Sequence, residues 1–254
     1  MFLNLKQTSS LVIAVMALSC GSAQATSVSP GTVTIFAASS LTETFTSIGK
    51  IFEGAHPGTK VAFSFLSSST LATQLLAGAP ADVFASAAPE DMNAAKSLIP
   101  KPVAFVTNRV VLAIPLANPL RIASIKDLNK PKVKWIQCAH QVPCGMAADK
   151  ALAAEGTVTS KPESLEPKVT SAVTKILAGE VDAAIVYRTD VVAHAKTLRG
   201  IAFSNVDAAT TTYLVGAVST SAHALLAKAF VDLVLSVKGM RILSKAGFGR
   251  VKHK

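Results

Sequence analysis

Aromatic side chains make up only 6% of the sequence, with one Trp and two Tyr, so a surface that stacks on nucleobases has little to be built from. The lysines are scattered, densest at Lys126 to Lys134 and Lys238 to Lys254, which describes a solvated basic surface. No nucleic-acid partner is expected. Acidic residues are scarce as well: 15 Asp and Glu against 25 Lys and Arg leave a net charge of +10, which favours anionic partners. After position 25, Pro, Gly and charged residues break every apolar stretch well short of the roughly 20 residues that cross a bilayer. Cysteines number three, and His140 is the only histidine near Cys138 and Cys144, so no metal-ligand set is expected.

Catalytic signatures are missing too. There is no G-x-S-x-G elbow, no G-x-x-x-x-G-K-[ST] loop, no H-E-x-x-H and no dinucleotide fingerprint. His56, His140, His194, His223 and His253 lack carboxylates at a telling spacing and read as surface residues rather than general bases. The chain is not expected to be an enzyme. A secreted hydrolase using Ser40 or Ser68 as nucleophile is the rival reading, and it lacks a nearby base.

What is present begins with an export leader over residues 1–25: Lys6, an apolar stretch from Leu11 to Leu18, then small residues through Ala25. Ala23-Gln24-Ala25 fits an ordinary cleavage site. Leu18-Ser19-Cys20-Gly21 instead resembles a lipoprotein processing site, in which case a lipid on Cys20 would tie the chain to a membrane face. In an oxidising compartment Cys138 and Cys144 can pair and leave Cys20 as the odd one; two free buried thiols are the other possibility. About 225 residues remain after processing, enough for one large domain or two small ones.

From residue 30 onward, short β-branched runs alternate with longer helical patterns, which argues for α/β layers. Strands are predicted at 33–36, 61–65, 83–86, 103–106, 110–114, 133–138, 183–186 and 213–218. Ser40-Leu41-Thr42-Glu43 has the form of a capping box ahead of the helical stripe Leu41, Phe45, Ile48 and Phe52. His223 to Ala246 reads as one long amphipathic segment. Prolines at 100, 102, 115, 119 and 131 suit a lobe boundary near residues 106–116, with the return crossing at 204–212.

Two serine-rich turns stand where a predicted strand hands over to a predicted helix: Ala37-Ala38-Ser39-Ser40-Leu41 and Ser67-Ser68-Ser69-Thr70. A helix start exposes unpaired N–H groups and the positive end of a macrodipole, so hydroxyls clustered there can serve an anion. Serine also caps helices, and from the residues alone both roles stay open. Pro143-Cys144-Gly145-Met146 and Val169 open two further helices, and Tyr187 ends a predicted strand at its carboxyl edge, where ligands of open α/β sheets bind.

Together these stretches resemble the periplasmic molybdate-binding proteins of ABC importers. The similarity runs from residue 32 to 248 through Phe36 to Leu41, Ser67 to Ala72, Gly78 to Phe84, Val142 to Gly145, Val169 to Ala172, Ile185 to Tyr187 and Gly247-Phe248. It implies a two-lobed periplasmic-binding-protein fold (class II), each lobe a mixed sheet flanked by helices: residues 30–108, then 109–208, with 209–254 returning to the first lobe. It also implies a site made of the hydroxyls and N–H groups of Ser40 and Ser68, the N–H groups of Cys144 and Val169, and the phenol of Tyr187. The implied cargo is molybdate or tungstate, with no cofactor, and the implied partners are an ABC permease and its ATPase. A monomer is expected, either periplasmic or lipid-attached to the outer face of the cell membrane. Cys at 144 departs from simpler members, but a backbone donor does not depend on its side chain. Glu43 is expected to face solvent. Another tetrahedral oxyanion, such as sulfate, is the alternative cargo.

Overall fold

The computed structural model describes residues 31–251; the expected export leader and Cys20 lie outside the described residues. The chain runs β1 (Thr32–Ala38), a short 3-10 turn (Ser39–Leu41), α1 (Thr42–Ala55), β2 (Lys60–Leu66), α2 (Ser68–Leu76), β3 (Val83–Ser86) and α3 (Pro89–Ala94). The long strand β4 (Val103–Pro115) follows, then β5 (Trp135–Cys138), α4 (Pro143–Glu155), β6 (Ser164–Glu166), α5 (Val169–Leu177), β7 (Ala183–Tyr187) and α6 (Arg188–Ala193). The chain closes with β8 (Leu198–Ala202), β9 (Thr210–Ala217), α7 (Ala224–Leu235), α8 (Val237–Lys245) and β10 (Gly249–Arg250).

All the strands join one curled mixed sheet, in the order β2-β1-β3-β9-β4-β7-β5-β6, with β8 and β10 also against β4. Strand β1 is parallel to β2 and β3, and β5 is parallel to β6 and β7, so two parallel groups are joined through antiparallel β4 and β9. β4 changes partner along its length: 103–109 pair with β9, and 110–115 pair with β7 and β8. The chain therefore passes from one half to the other on a single extended strand.

The period-2 alternation of each parallel strand loads both faces of the sheet. In β1, Val33, Ile35 and Ala37 join a core beneath α1, α7 and α8, while Phe36 joins one beneath α2 and α3. Val83 and Ala85 of β3 repeat the first direction, and Phe84 the second. The other half has its own core around Trp135, Ile136, Val173, Ile176 and Ile185.

Several expectations need correcting. The runs 103–106 and 110–114 are one strand, because the polar interruption at Asn108 is buried and hydrogen-bonded rather than turned to solvent. Strands β6, β8 and β10 are additional; they are short edge pieces with no alternating apolar signal. The segment 223–246 is two helices. Ser236 leaves the helical conformation and its hydroxyl accepts the Gly239 N–H at 3.2 Å, starting α8 afresh. A side chain at Gly239 would strike the Leu233 carbonyl oxygen at 2.3 Å, so the two helices meet at a corner only glycine permits.

Candidate functional site

The carboxyl ends of the parallel strands in both halves open onto one small cleft, with about 210 Å³ of empty space including its mouth. Ser40, Ser68, Cys144, Val169 and Tyr187 all line it, the first two from one half and the other three from the second. Val169 begins α5, Ser68 begins α2, and Cys144 follows Pro143 at the start of α4. Among the described residues, the backbone N–H groups of Ser68, Cys144 and Val169 find no acceptor, as expected for first-turn donors. They are free to meet a ligand.

Local structure brings each donor into place. A Cβ on Gly145 would lie 1.9 Å from the Ala139 carbonyl oxygen, so α4 can begin this close to the end of β5 only with glycine at that position. Cys138 and Cys144 are joined by a disulfide, with Cα atoms 5.6 Å apart, which ties the same turn to the strand. In the other half, helix capping falls to Ser67: its hydroxyl accepts the Thr70 N–H at 3.2 Å. Ser68 is fully buried and caps nothing. Its Oγ accepts the Ala87 N–H at 2.9 Å, and the hydroxyl proton has no acceptor among the described residues.

The capping box read at Ser40 is absent. α1 starts from Leu41 without a side-chain cap, and Ser40 Oγ lies 2.8 Å from Tyr213 Oη. Glu43 is exposed. Among the described residues, neither Ser40 nor Ser68 has a histidine or carboxylate as a hydrogen-bond partner.

Tyr187 is 1% exposed, and its hydroxyl has no hydrogen-bond partner among the described residues. Its ring lies edge-on to that of Tyr213, with centroids 6.1 Å apart; the two hydroxyls are near enough for Tyr213 to add to the rise that burial gives the Tyr187 phenol, yet no hydrogen bond of ordinary geometry joins them. Burial above all pushes the Tyr187 phenol well above its ordinary range, so it is a neutral donor at any physiological pH. A buried O–H without an acceptor, beside N–H groups in the same state, is what a ligand acceptor would complete. Behind it, the desolvated carboxyl of Asp190 accepts the Tyr187 N–H at 2.9 Å. Burial lifts Asp190 to about 7, with that N–H opposing the rise and Glu43 adding to it.

Among the described residues no Asp or Glu lines the cleft, and no cluster of three His, Cys, Asp or Glu could hold a metal ion. Sequence reasoning missed two contributors. Lys168, just before Val169, also lines the cleft and forms no ion pair among the described residues, so the wall is not made of neutral groups alone. Tyr213 stands behind Ser40, hidden in the sequence because it looks like one more apolar strand residue.

A model of the family of bacterial extracellular solute-binding proteins matches residues 33–249. The molybdate-binding protein ModA of Mycobacterium tuberculosis (strain H37Rv) is 36% identical over 221 residues, covering 86% of this chain and 84% of the relative. Two solved structures share the fold. The periplasmic molybdate-binding protein of Azotobacter vinelandii has a TM-score of 0.73 and 17% identity, covering 87% of this chain and 100% of that one. The sulfate-binding protein SubI of Mycobacterium tuberculosis has a TM-score of 0.74 and 17% identity, covering 87% of each.

Proposed function

Since the chain belongs to the family of bacterial extracellular solute-binding proteins, we propose that it captures molybdate outside the cytoplasm and delivers it to an ABC transporter. The observation that carries this reading is the convergence, in one cleft without a carboxylate in its lining, of helix starts and hydroxyls from both halves of the sheet. On this reading the lobes comprise residues 30–108 with 209–254, and 109–208. Ser40 and Ser68 hold the anion from the first lobe; Cys144, Val169 and Tyr187 hold it from the second.

A buried dianion gives up hydration worth many kcal/mol, and fixed donors must replace it, each charge-assisted bond contributing about 1.5–3 kcal/mol. Donors from both lobes on one ion favour the closed arrangement by their differential affinity. A permease with its ATPase then reads that arrangement. Hydrogen phosphate would bring a proton that no group in the lining is set to accept, at a cost of roughly 1–3 kcal/mol. Sulfate brings no proton but has shorter bonds, so the donors cannot all reach it. Tungstate, close to molybdate in size and charge, binds alongside it.

A sulfate carrier is the second reading, favoured by the fold shared with the sulfate-binding protein. Thermal unfolding with molybdate, tungstate, sulfate and phosphate at equal ionic strength separates the two. The proposal expects the first two to stabilise the protein by about 4 kcal/mol at a thousandfold excess over Kd, with little or no shift from the others. A larger shift with sulfate would transfer the assignment to it, and no shift with any of the four would end both. We also propose lipid attachment at Cys20, which the mass of the mature N-terminus checks.

A further inference from the structure

Resting on the oxyanion reading above, we infer that Asn108 and Tyr213 form a one-way hydrogen-bond relay that holds Ser40 Oγ as an acceptor from behind, so that its own proton faces the cleft. Tyr213 and Asn108 are positioning residues that touch no ligand and act through Ser40.

The direction of the relay follows from counting donors. Asn108 is buried, and its Oδ1 accepts the Arg109 N–H at 3.0 Å, which leaves both Nδ2 hydrogens for other partners. One goes to Thr189 Oγ1 at 2.9 Å and the other to Tyr213 Oη at 3.4 Å. Tyr213 is fully buried, so its own O–H needs an acceptor. An amide NH2 cannot supply one, and the Tyr187 hydroxyl, though near enough to interact, makes no hydrogen bond of ordinary geometry among the described residues. Ser40 Oγ, 2.8 Å away, is the acceptor that remains. Tyr213 therefore donates to Ser40, and the Ser40 proton is left for the cleft. Ser68 reaches the same state through the Ala87 N–H.

The relay also lies where the chain crosses between halves. Asn108 is on β4 just before that strand exchanges β9 for β7, Tyr213 is on β9 opposite Val106, and Thr189 is in the first turn of α6. Its effect is on selectivity as much as on affinity. A serine that donated to Tyr213 would have only lone pairs left for the cleft and would welcome the proton of hydrogen phosphate; one that accepts from Tyr213 keeps its own proton for the cleft, which favours a fully deprotonated anion.

Calorimetric titration of sodium molybdate and sodium phosphate into the unaltered protein, Tyr213→Phe, Ser40→Ala and the double variant tests this, with ligand-free thermal midpoints checking the fold. The relay predicts that Tyr213→Phe weakens molybdate binding about tenfold, narrows the preference for molybdate over phosphate, and changes nothing further in the Ser40→Ala background. An equal loss in both backgrounds, or no loss in either, overturns it. Should Tyr213→Phe fail to fold, Asn108→Asp serves instead. The new carboxylate takes the Tyr213 proton and turns the Ser40 proton inward, so its cost must be larger with Ser40 present than in the Ser40→Ala background, whereas simple charge repulsion costs the same in both. Absence of molybdate binding by the unaltered protein would withdraw the oxyanion reading and the relay with it; binding without coupling withdraws the relay alone.

Discussion

Ser68 and Tyr187 face the same cleft with opposite consequences for the empty protein. Ser68 Oγ satisfies the buried Ala87 N–H, so Ser68→Ala orphans that donor and is expected to cost about 1–3 kcal/mol in a denaturant titration, as well as weakening molybdate binding. Among the described residues the Tyr187 hydroxyl satisfies no other group, so Tyr187→Phe is expected to leave stability unchanged or raised. Its molybdate Kd should nonetheless rise about 10- to 100-fold, the value of one donor to a charged group. An unaltered Kd would remove Tyr187 from the site. Asp190 gives a pH signature. Burial raises its carboxyl to about 7, above its unfolded value, so the folded state holds the proton more tightly. The resulting stability is fully present below about pH 4 and is lost as pH rises through about 7. Asp190→Asn, which keeps an oxygen for the Tyr187 N–H, should unfold about 2–4 °C higher than the parent at pH 8, with the gap closing towards pH 5. A gap that widens on acidification would contradict the assignment.

At the scale of elements, the site depends on where helices begin. The start of α4 is held by Gly145 against Ala139 and by the disulfide across a separation of six residues. Closing so short a loop stabilises by about 2 kcal/mol on loop entropy. Replacing both cysteines by alanine should cost that much in unfolding free energy while keeping molybdate affinity within a few-fold, because on the proposed function Cys144 contributes only its backbone N–H. A collapse in affinity would show that the bridge itself sets the donor. These helix starts were legible in the sequence because strand-to-helix turns are local: serines after a β-branched run and Pro143 at a first turn announce themselves. Tyr213 and Asn108 were not. Their roles arise from pairing between β4 and β9 across a separation of about a hundred residues, which no local pattern records. Thr107-Asn108-Arg109 looked like a break between strands for the same reason, since a buried polar residue is told from a loop only by its distant partner. Likewise, the turn at Ser40 has the letters of a capping box, yet tertiary contact with Tyr213 takes the hydroxyl elsewhere.

The whole molecule is two parallel-stranded halves of one sheet joined through antiparallel strands, and the proposed function requires both halves to supply donors to one ion. Binding should therefore be cooperative between halves: removing hydroxyls from one half weakens the hold of the other, because closure is stabilised only when both are engaged. The most direct measurement is a calorimetric titration of sodium molybdate into the purified protein and into Ser40→Ala/Ser68→Ala, at equal ionic strength and with the fold of each verified. Saturable one-to-one binding by the parent, weakened at least a hundredfold in the double variant, is the predicted result. Equal affinity in the two, or no saturation in the parent, would contradict the account.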